Sequence, residues 1–389
     1  MNIRTLMRIT LIAAAVAAYS QAPDVGWIKL YPKDSLVAKT GDQGDIRGHS
    51  AVETRDSGFC FTGHCCCTHC MGDMFVMRTD QVGNLQWAKR YDDNNLNEIG
   101  NSICETSDRG FIIAGLTMDL GSGTGDIYIV RIDSAGNELW SKKYGNPGYY
   151  VYEEAYSVQQ THDNGFIVAG YKSNGANKYD AYLMRLNVSG DSVWTRVFGG
   201  TRNDGGHCVR ETHDRGFVLC GFTRSFGAGG SDVYLVRTDS TGNTLWSKTF
   251  GNADTHEGGY WVEETADNGF ILTGYANDFQ DVYLVRTDSN GTILWEKILG
   301  TDSTAECGRS VKEVPGGGFL VGGHTGLDKT SGYMIRTDAL GTVMWTQIFE
   351  DSANDNVIHG ILLTSDGGVA AIGRHDGEGQ VQLIKLNGR

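Results

Sequence analysis

The sequence predicts an all-β fold, a seven-bladed β-propeller with four antiparallel strands in each blade. The first observation is a phrase that recurs seven times at intervals of about 50 residues: a Gly, an apolar residue, a hydrophobic stretch and a second Gly. Its leading glycines are Gly58, Gly110, Gly165, Gly216, Gly269, Gly318 and Gly368. The second observation is the phrase Asp-x-x-Gly-x-x-x-Trp between these copies, as at 239–246. Repeats of about 50 residues are typical of propellers rather than of solenoids or sandwiches.

Alternation of apolar and polar residues divides each repeat into four strands. In the third repeat we expect strand A at 155–161, strand B at 166–171, strand C at 180–186 and strand D at 192–198. The segment Asp163-Asn164-Gly165 is typical of the tight turn of a β-hairpin. Each repeat is therefore predicted to form one antiparallel blade.

The two chain ends predict how the ring closes. The seventh repeat supplies strands A to C and then ends at Arg389 without its Trp strand. Near the N-terminus, the segment 26–31 around Trp27 resembles 245–250, the Trp strand of the fourth repeat. We expect this N-terminal strand to complete the last blade, which removes an exposed sheet edge and joins the two ends.

The composition excludes several classes of protein. The chain has 54 glycines but only 4 prolines among 389 residues, which argues against collagen and against a disordered linker. Its 40% hydrophobic content is enough for a core. The net charge of −14 argues against a nucleic-acid partner, because no basic surface dominates such a chain.

The first 22 residues have the pattern of a secretory signal peptide. Arg4 and Arg8 precede the apolar run 9–18, and small residues suited to cleavage follow it. This run is too short to span a bilayer, which takes about 20 residues. We therefore expect a signal peptide at 1–22, one propeller domain at 23–389, and a secreted or periplasmic protein with no transmembrane segment.

The Asp-x-x-Gly-x-x-x-Trp phrase resembles the repeats of the quinoprotein-like and WD-like propellers. The longer pattern HDNGFIVAGY followed by DAYLMRLNVSGDSVWTRVFGG resembles the tandem repeats of secreted bacterial propeller proteins. The resemblance covers residues 24–389 and implies the fold. Quinoprotein enzymes typically have eight blades, whereas this sequence has seven repeats. The resemblance therefore does not imply that this chain binds the quinone cofactor.

A set of acids predicts a ring at the start of the innermost strands. The twelfth residue before the leading Gly is acidic in five repeats, and Asn356 and Ile46 stand there in the other two. The acids are Glu98, Glu153, Asp204, Glu257 and Glu306. Because like charges repel, the ring could hold a cation such as calcium. The alternative is that each acid accepts hydrogen bonds from a neighbouring loop as a repeated structural device.

Three positions further along the chain, the residue type varies from repeat to repeat. The set is His49, Asn101, Tyr156, His207, Tyr260, Arg309 and His359. Mixed polar and aromatic residues in one register indicate ligand contact at the channel edge, since a purely architectural position tends to repeat one residue type. Trp261 lies beside this set, and it either contacts ligand or packs between blades.

Aromatic residues also crowd the loop that precedes the third strand A. Tyr149 and Tyr150 lie next to Tyr152, Glu153 and Glu154. Tyrosines with carboxylates commonly hold sugars by stacking and hydrogen bonding. The alternative is a loop that packs on its neighbour.

The B to C loop of the first repeat is unusual. It contains four cysteines and two histidines in seven residues: His64, Cys65, Cys66, Cys67, His69 and Cys70. Thiolates and imidazoles at this spacing could bind zinc or copper. Local disulfides are the simpler outcome in an oxidising compartment, and unligated thiols are the third.

Together these features favour a non-catalytic binding propeller. We expect its ligand to be a glycan, a peptide or an envelope protein. The ligand should lie at the channel mouth, on the face that carries the long D to A and B to C loops. An enzyme on the same face is one alternative: a polysaccharide hydrolase or lyase using the acids with His207 or Tyr260, or a quinoprotein-type oxidoreductase. A structural envelope scaffold is the other. Binding is favoured because no nucleophile with a base and an orienting group stands out.

Overall fold

A computed structural model describes residues 9–10, 22–32, 35–36, 45–65, 72–92, 96–119, 124–145, 152–173, 178–300, 304–326, 330–350, 355–375 and 379–388. Apart from residues 9, 10 and 22, the predicted signal peptide lies outside these residues, as do Cys66, Cys67, His69, Cys70, Tyr149 and Tyr150. Among the described residues, no helix is long and apolar enough to cross a membrane.

The chain forms seven blades of four antiparallel strands, as predicted, and strands A to D run outward in order. Blade 1 contains Ile46–Glu53, Phe59–Cys65, Asp73–Thr79 and Leu85–Tyr91. Blade 2 contains Asn97–Glu105, Phe111–Asp119, Thr124–Ile132 and Glu138–Tyr144. Blade 3 contains Glu153–Gln160, Phe166–Ser173, Tyr179–Leu186 and Ser192–Phe198. Blade 4 contains Asp204–Glu211, Phe217–Thr223, Asp232–Thr238 and Thr244–Phe250.

The remaining blades have the same order. Blade 5 contains Gly258–Glu264, Phe270–Ala276, Asp281–Thr287 and Ile293–Gly300, and the two-residue strand Ile9–Thr10 pairs in parallel with its outer edge. Blade 6 contains Glu306–Glu313, Phe319–Thr325, Ser331–Thr337 and Val343–Phe349. Blade 7 contains Asn356–Leu363, Val369–His375 and Gln380–Leu386, and its strand D is Val25–Tyr31.

The N-terminal strand closes the ring as predicted. Val25–Tyr31 pairs antiparallel with Gln380–Leu386, and Trp27 lies opposite Lys385. Because the first and last described segments of the propeller share one sheet, unfolding either end would break blade 7. This coupling is the usual way in which a propeller avoids a free edge.

The apolar core is divided into seven clusters, one between each pair of adjacent blades. The two repeated phrases meet in these clusters. Trp246 of blade 4 packs edge-to-face on Phe270 of blade 5, with ring centroids 5.9 Å apart, and its indole edge covers Gly291. Gly291 has φ of +73°, and a side chain there would collide with the Trp. Edge-to-face aromatic packing stabilises the interface beyond simple burial.

The face with the short A to B and C to D turns carries a repeated polar scaffold. In blade 2, Asp108 of the A to B turn accepts hydrogen bonds from Thr106 at 2.6 Å and pairs with Arg131 of strand C at 2.6 Å. The same Thr, Asp and Arg arrangement occurs in blades 1, 3, 4 and 5. A Lys replaces the Arg in blade 7. Because the arrangement recurs from blade to blade, it indicates a structural role for these residues.

The same face also joins neighbouring blades. At six interfaces a Glu or Gln at the end of strand A accepts a hydrogen bond from a backbone amide in the preceding blade's turn, as between Glu264 and His213 at 2.8 Å. At the seventh interface the turn residue is Pro315, and Leu363 takes the place of the acceptor. Proline has no amide hydrogen, so an acceptor there would have no partner.

Candidate functional site

Every strand A contains a β-bulge at the same place. Pairing with strand B skips one residue, as between Gly48 and Ser50 in blade 1. The skipped residues are His49, Asn101, Tyr156, His207, Tyr260, Arg309 and His359. They are the seven variable residues that the sequence placed in one register. A bulge re-aims its side chain, and this one lies at about the middle of strand A, as His49 does in Ile46–Glu53.

The bulge residues of blades 1 to 3 are joined by hydrogen bonds. His49 Nδ1 lies 3.2 Å from Asn101 Oδ1. Asn101 Nδ2 donates to Glu154 Oε1 at 2.7 Å and to the carbonyl of Ala155 at 2.9 Å. Tyr156 donates to the other oxygen of Glu154 at 2.8 Å. The side chains of three blades therefore form one network.

The bulge residues of blades 3 to 6 are joined by ring contacts. His207 packs edge-to-face on Tyr156 at 5.3 Å between centroids and stacks on Tyr260 at 5.0 Å. The Arg309 guanidinium lies 4.4 Å from the Tyr260 ring centre. On the other side, His359 lies 5.6 Å from His49. The seven residues thus form a contiguous set around the channel.

A second set lies one step closer to the long-loop face, on strand B. These residues pair with the position two before each bulge residue and comprise His64, Leu116, Tyr171, Phe222, Tyr275, His324 and Arg374. Their partners on strand A include Arg47 in blade 1 and Glu154 in blade 3. We call the bulge residues, this second set, Arg47 and Glu154 the channel mouth.

Blade 3 holds a carboxylate surrounded by tyrosines. Glu154 Oε2 accepts hydrogen bonds from Tyr152 at 2.9 Å, Tyr156 at 2.8 Å and Tyr171 at 2.9 Å, while Asn101 binds its other oxygen. Burial, followed by the charge of Glu154, raises the pKa values of Tyr156 and Tyr171. The tyrosines are therefore neutral donors at neutral pH. Of the crowded aromatic loop, Tyr152 contributes to this cluster, whereas Tyr149 and Tyr150 lie outside the described residues.

Blades 4 and 5 present aromatic faces. Tyr275 stacks on Phe279 with ring centroids 3.8 Å apart, and Phe279 is 50% exposed. Three successive residues of this loop, 277–279, have positive φ. Such backbone conformations are costly for residues with side chains and concentrate at binding sites. Phe226 in the corresponding loop of blade 4 is 45% exposed.

Blades 6, 7 and 1 present a basic arc, which we define as Arg47, His49, His64, Arg309, His324, His359 and Arg374. Burial, together with a smaller effect of nearby arginines, lowers the pKa values of His49 and His324 to about 4 and that of His64 to about 3. His359 is shifted in the same direction for the same reasons. At neutral pH the imidazoles of this arc are therefore uncharged, and the arginines carry its positive charge.

The predicted acidic ring is buried at the start of strand A. Glu98, Glu153, Asp204, Glu257 and Glu306 are at most 5% exposed. Asp204 accepts hydrogen bonds from the amide of Gly200 at 2.9 Å and from Ser225 at 2.6 Å, both in loops of the long-loop face. Glu98 accepts one from Thr117 at 3.0 Å. These contacts are those expected of a repeated structural acceptor.

A second carboxylate from the preceding blade approaches each of several ring acids. A side chain on Gly199 would meet both Asp180 and Asp204, and one on Gly251 would meet both Asp232 and Glu257. In blade 1 the position of that glycine is occupied by Asp92. There, one oxygen each from Asp73, Asp92 and Glu98 lie within 4.8 Å of one another. Calcium at the acidic ring stays a prediction, because either protons or a cation could compensate the repulsion.

Trp261 lies below the bulge residues and belongs to an ion cluster. Its ring is 4.3 Å from the Arg210 guanidinium and 4.9 Å from the Lys312 ammonium, and its indole nitrogen donates to Glu263 at 2.8 Å. Burial raises the pKa of Glu263, but the positive charges of Lys312 and Arg210 outweigh this effect and lower the pKa to about 2. Trp261 also packs against two of the inter-blade clusters. Packing between blades is therefore part of its role.

Only the start of the Cys/His loop is described. His64 lies in the basic arc, with its ring 4.9 Å from that of His49, and Cys65 is buried. Zinc, copper or disulfides at Cys66, Cys67, His69 and Cys70 stay predictions, because those residues lie outside the described part. Cys60, Cys104, Cys208, Cys220 and Cys307 are thiols.

The sequence predicted the bulge residues but missed half of the mouth. Arg47, His64, His324 and Arg374 were not grouped with them, and neither were Glu154 and Tyr171. Pairing strand A with strand B in the sequence could have found these residues, because each residue of the second set pairs with the strand A residue two positions before a bulge residue.

Comparison with solved structures supports the fold. The chain is similar to a europium-containing methanol dehydrogenase, with 10% identity, a TM-score of 0.53, and coverage of 97% of this chain and 95% of that one. It is also similar to the periplasmic gluconolactonase of Pseudomonas aeruginosa, with 14% identity, a TM-score of 0.50, and coverage of 79% and 87%. No family model and no curated protein matches. At these identities the likeness concerns the fold alone, and at that level the predicted resemblance to known propellers is confirmed.

Proposed function

We propose that this chain is a binding protein that holds a glycan at the channel mouth on its long-loop face. One observation carries the proposal: the bulge that is common to all seven blades brings side chains of four types, His, Tyr, Asn and Arg, into one contiguous set. The backbone feature is the same in every blade, whereas the residue type at the bulge varies from blade to blade. That combination is expected where a scaffold has been adapted to a ligand.

The chemistry of blades 3 to 5 favours a glycan over a peptide. Sugars present flat C–H faces and many hydroxyl groups, which suit stacking on aromatic rings and hydrogen bonds to fixed polar groups. Phe279 and Phe226 supply exposed rings, and the tyrosine hydroxyls that donate to Glu154 supply oxygen acceptors for sugar hydroxyls.

The same geometry favours binding over catalysis. Glu154 already accepts four hydrogen bonds, from Asn101, Tyr152, Tyr156 and Tyr171, so both of its carboxylate oxygens are occupied. Burial lowers the pKa of His207 to about 4, and its Nδ1 lies 2.8 Å from the carbonyl of Gly259. Of the acids of the predicted hydrolase or lyase, Glu98 accepts a hydrogen bond from Thr117 of strand B, and Asp204 accepts one from the amide of Gly200. These groups are held in place rather than poised for proton transfer.

The proposal is tested by measuring glycan affinity with variants of the mouth. Binding to an oligosaccharide library, followed by calorimetric titration of the best ligand, should give an affinity that Phe279→Ala or Tyr260→Ala weakens at least about fivefold, since an aromatic contact contributes roughly 1 kcal/mol. Leu245→Ala is the matched control, because Leu245 is 57% exposed on an outer strand. Equal loss with Leu245→Ala, or full affinity in both mouth variants, would contradict the proposal.

The enzyme alternative is tested on the same protein. Polysaccharides, and alcohols with added quinone and calcium, are incubated with it and the products are measured. If the wild-type protein forms products and the Tyr260→Ala variant does not, the protein is an enzyme and the proposed binding function is wrong.

A further inference from the structure

The basic arc is an unusual feature in a chain with a net charge of −14. Arg309 of blade 6, Arg374 of blade 7 and Arg47 of blade 1 come from three consecutive blades and lie near the same imidazoles. His49 is within 4.9 Å of His64 and 5.6 Å of His359, ring centre to ring centre. Cations gathered in one place repel each other unless an anion compensates them.

The structure shows how this chain treats arginines that serve only the scaffold. Arg131, Arg185, Arg237 and Arg286 each pair with an Asp of their own blade. By contrast, neither Arg47 nor Arg309 forms an ion pair with any described residue. The buried Nε atoms of both, and the Nδ1 atoms of His64 and His324, have no hydrogen-bond partner within the described chain. Buried polar atoms are normally satisfied, so each exception requires an explanation.

We propose that the basic arc is a subsite for an anionic oxygen group, and that the glycan held at the channel mouth is therefore an acidic one. The identification of the ligand as a glycan rests on the function proposed above, whereas the anion subsite rests on the arc alone. Guanidinium groups form paired hydrogen bonds with carboxylate, sulfate or phosphate, and uncharged imidazoles add further N–H donors.

The arrangement also orients the ligand. Glu154 carries a negative charge on blade 3, on another part of the mouth, and repels an anion placed there. The acidic group therefore lies at blades 6, 7 and 1, while neutral hydroxyls and ring faces lie at blades 3 to 5. A ligand that spans the mouth is bound in one direction.

A metal ion fits the arc less well than an anion. Three imidazoles close together suggest zinc, but zinc needs ligand nitrogens about 2 Å from one point. Among the described residues, the one set of three candidate ligands that comes within 4.8 Å is Asp73, Asp92 and Glu98, and the imidazoles of the arc do not. The neighbouring arginines would also repel a cation.

The test compares an oligo-uronate with its fully methyl-esterified form, which has the same sugar rings but no charge. Titration at low ionic strength should show the acid binding at least about tenfold more tightly than the ester, as expected for a charge-assisted contact. Arg47→Gln and Arg309→Gln should remove most of that difference, because they should weaken binding of the acid much more than binding of the ester. Arg55→Gln, on the opposite face, is the control and should change neither.

Sulfate, phosphate and acetate alone are titrated as second probes, and the imidazole C–H signals are followed by NMR. Anion binding should raise the pKa values of His49 and His64, and Arg47→Gln should abolish the shift. If acid and ester bind equally well, the anion subsite is refuted and the glycan function stands. If no glycan binds but simple anions shift these imidazoles, the subsite stands and the glycan function fails. If neither binds, both are refuted.

Discussion

The imidazoles of the channel mouth predict a loss of stability between pH 7 and pH 5. Burial lowers the pKa values of His49, His207 and His324 to about 4 and that of His64 to about 3. In the unfolded chain each has an ordinary pKa near 6.5. Between about pH 6.5 and pH 4 the unfolded state therefore binds more protons than the folded state, so stability falls as the pH falls through this window.

The magnitude follows from the same values. A shift of one pKa unit corresponds to about 1.4 kcal/mol, so each of these imidazoles lowers the free energy of unfolding by about 2 kcal/mol at pH 5 relative to pH 7. These four side chains are partly buried, and screening by solvent reduces the sum for the four to roughly 4 kcal/mol. Arg47, Arg309 and Arg374, which face these rings, oppose protonation. Carboxylates with lowered pKa values, such as Glu263, contribute only below about pH 4.5.

The assay is urea unfolding at pH 7, 6 and 5. His64→Gln should reduce the loss of unfolding free energy by roughly 1 kcal/mol, because it removes one of the five buried imidazoles of the mouth. His162→Gln is the control, since His162 is exposed on the opposite face beside Glu211. A flat stability between pH 7 and pH 5, or an equal effect of the control, would refute the reasoning.

Three further predictions test the scaffold and the processing of the chain. Pro315→Ala combined with Leu363→Glu should rebuild the missing hydrogen bond between blades 6 and 7, with a coupling free energy of about 0.5 to 1 kcal/mol in a double-mutant cycle, and zero coupling would contradict the interpretation of that interface. If calcium occupies the acidic ring, a chelator should lower the melting temperature and added calcium should restore it, whereas an unchanged melting temperature argues for the hydrogen-bonded alternative. Intact-mass analysis of the exported protein should show cleavage near residue 22 and count the disulfides, and an uncleaved N-terminus would refute the signal peptide.

The fold could be predicted from the sequence because the repeat carries it. Gly291 and Trp246 belong to phrases that recur, and each recurring residue has a contact that recurs between blades. The strand bounds of blade 3 were predicted to within two residues at each end, and strand D was predicted without error. The closing strand around Trp27 followed from the same phrase.

The mouth could be predicted only in part. His49 and its equivalents share one position in every repeat, so their register was visible. The neighbours that give them chemistry were not, because Arg47 meets His64, and Glu154 meets Tyr171, through the pairing of two strands and the bulge between them. For the acids at the start of strand A, the sequence shows that they recur in five repeats. Only the structure shows that they are buried and hydrogen-bonded.

The central claim is that a ligand binds in the channel mouth with its acidic group on the basic arc. A crystal structure of the protein with an oligo-uronate tests this most directly. The account predicts a carboxylate between Arg47 and Arg309, with sugar rings extending toward Tyr260 and Phe279. A ligand bound on the short-turn face or on the outer strands, or a carboxylate placed beside Glu154, would contradict it.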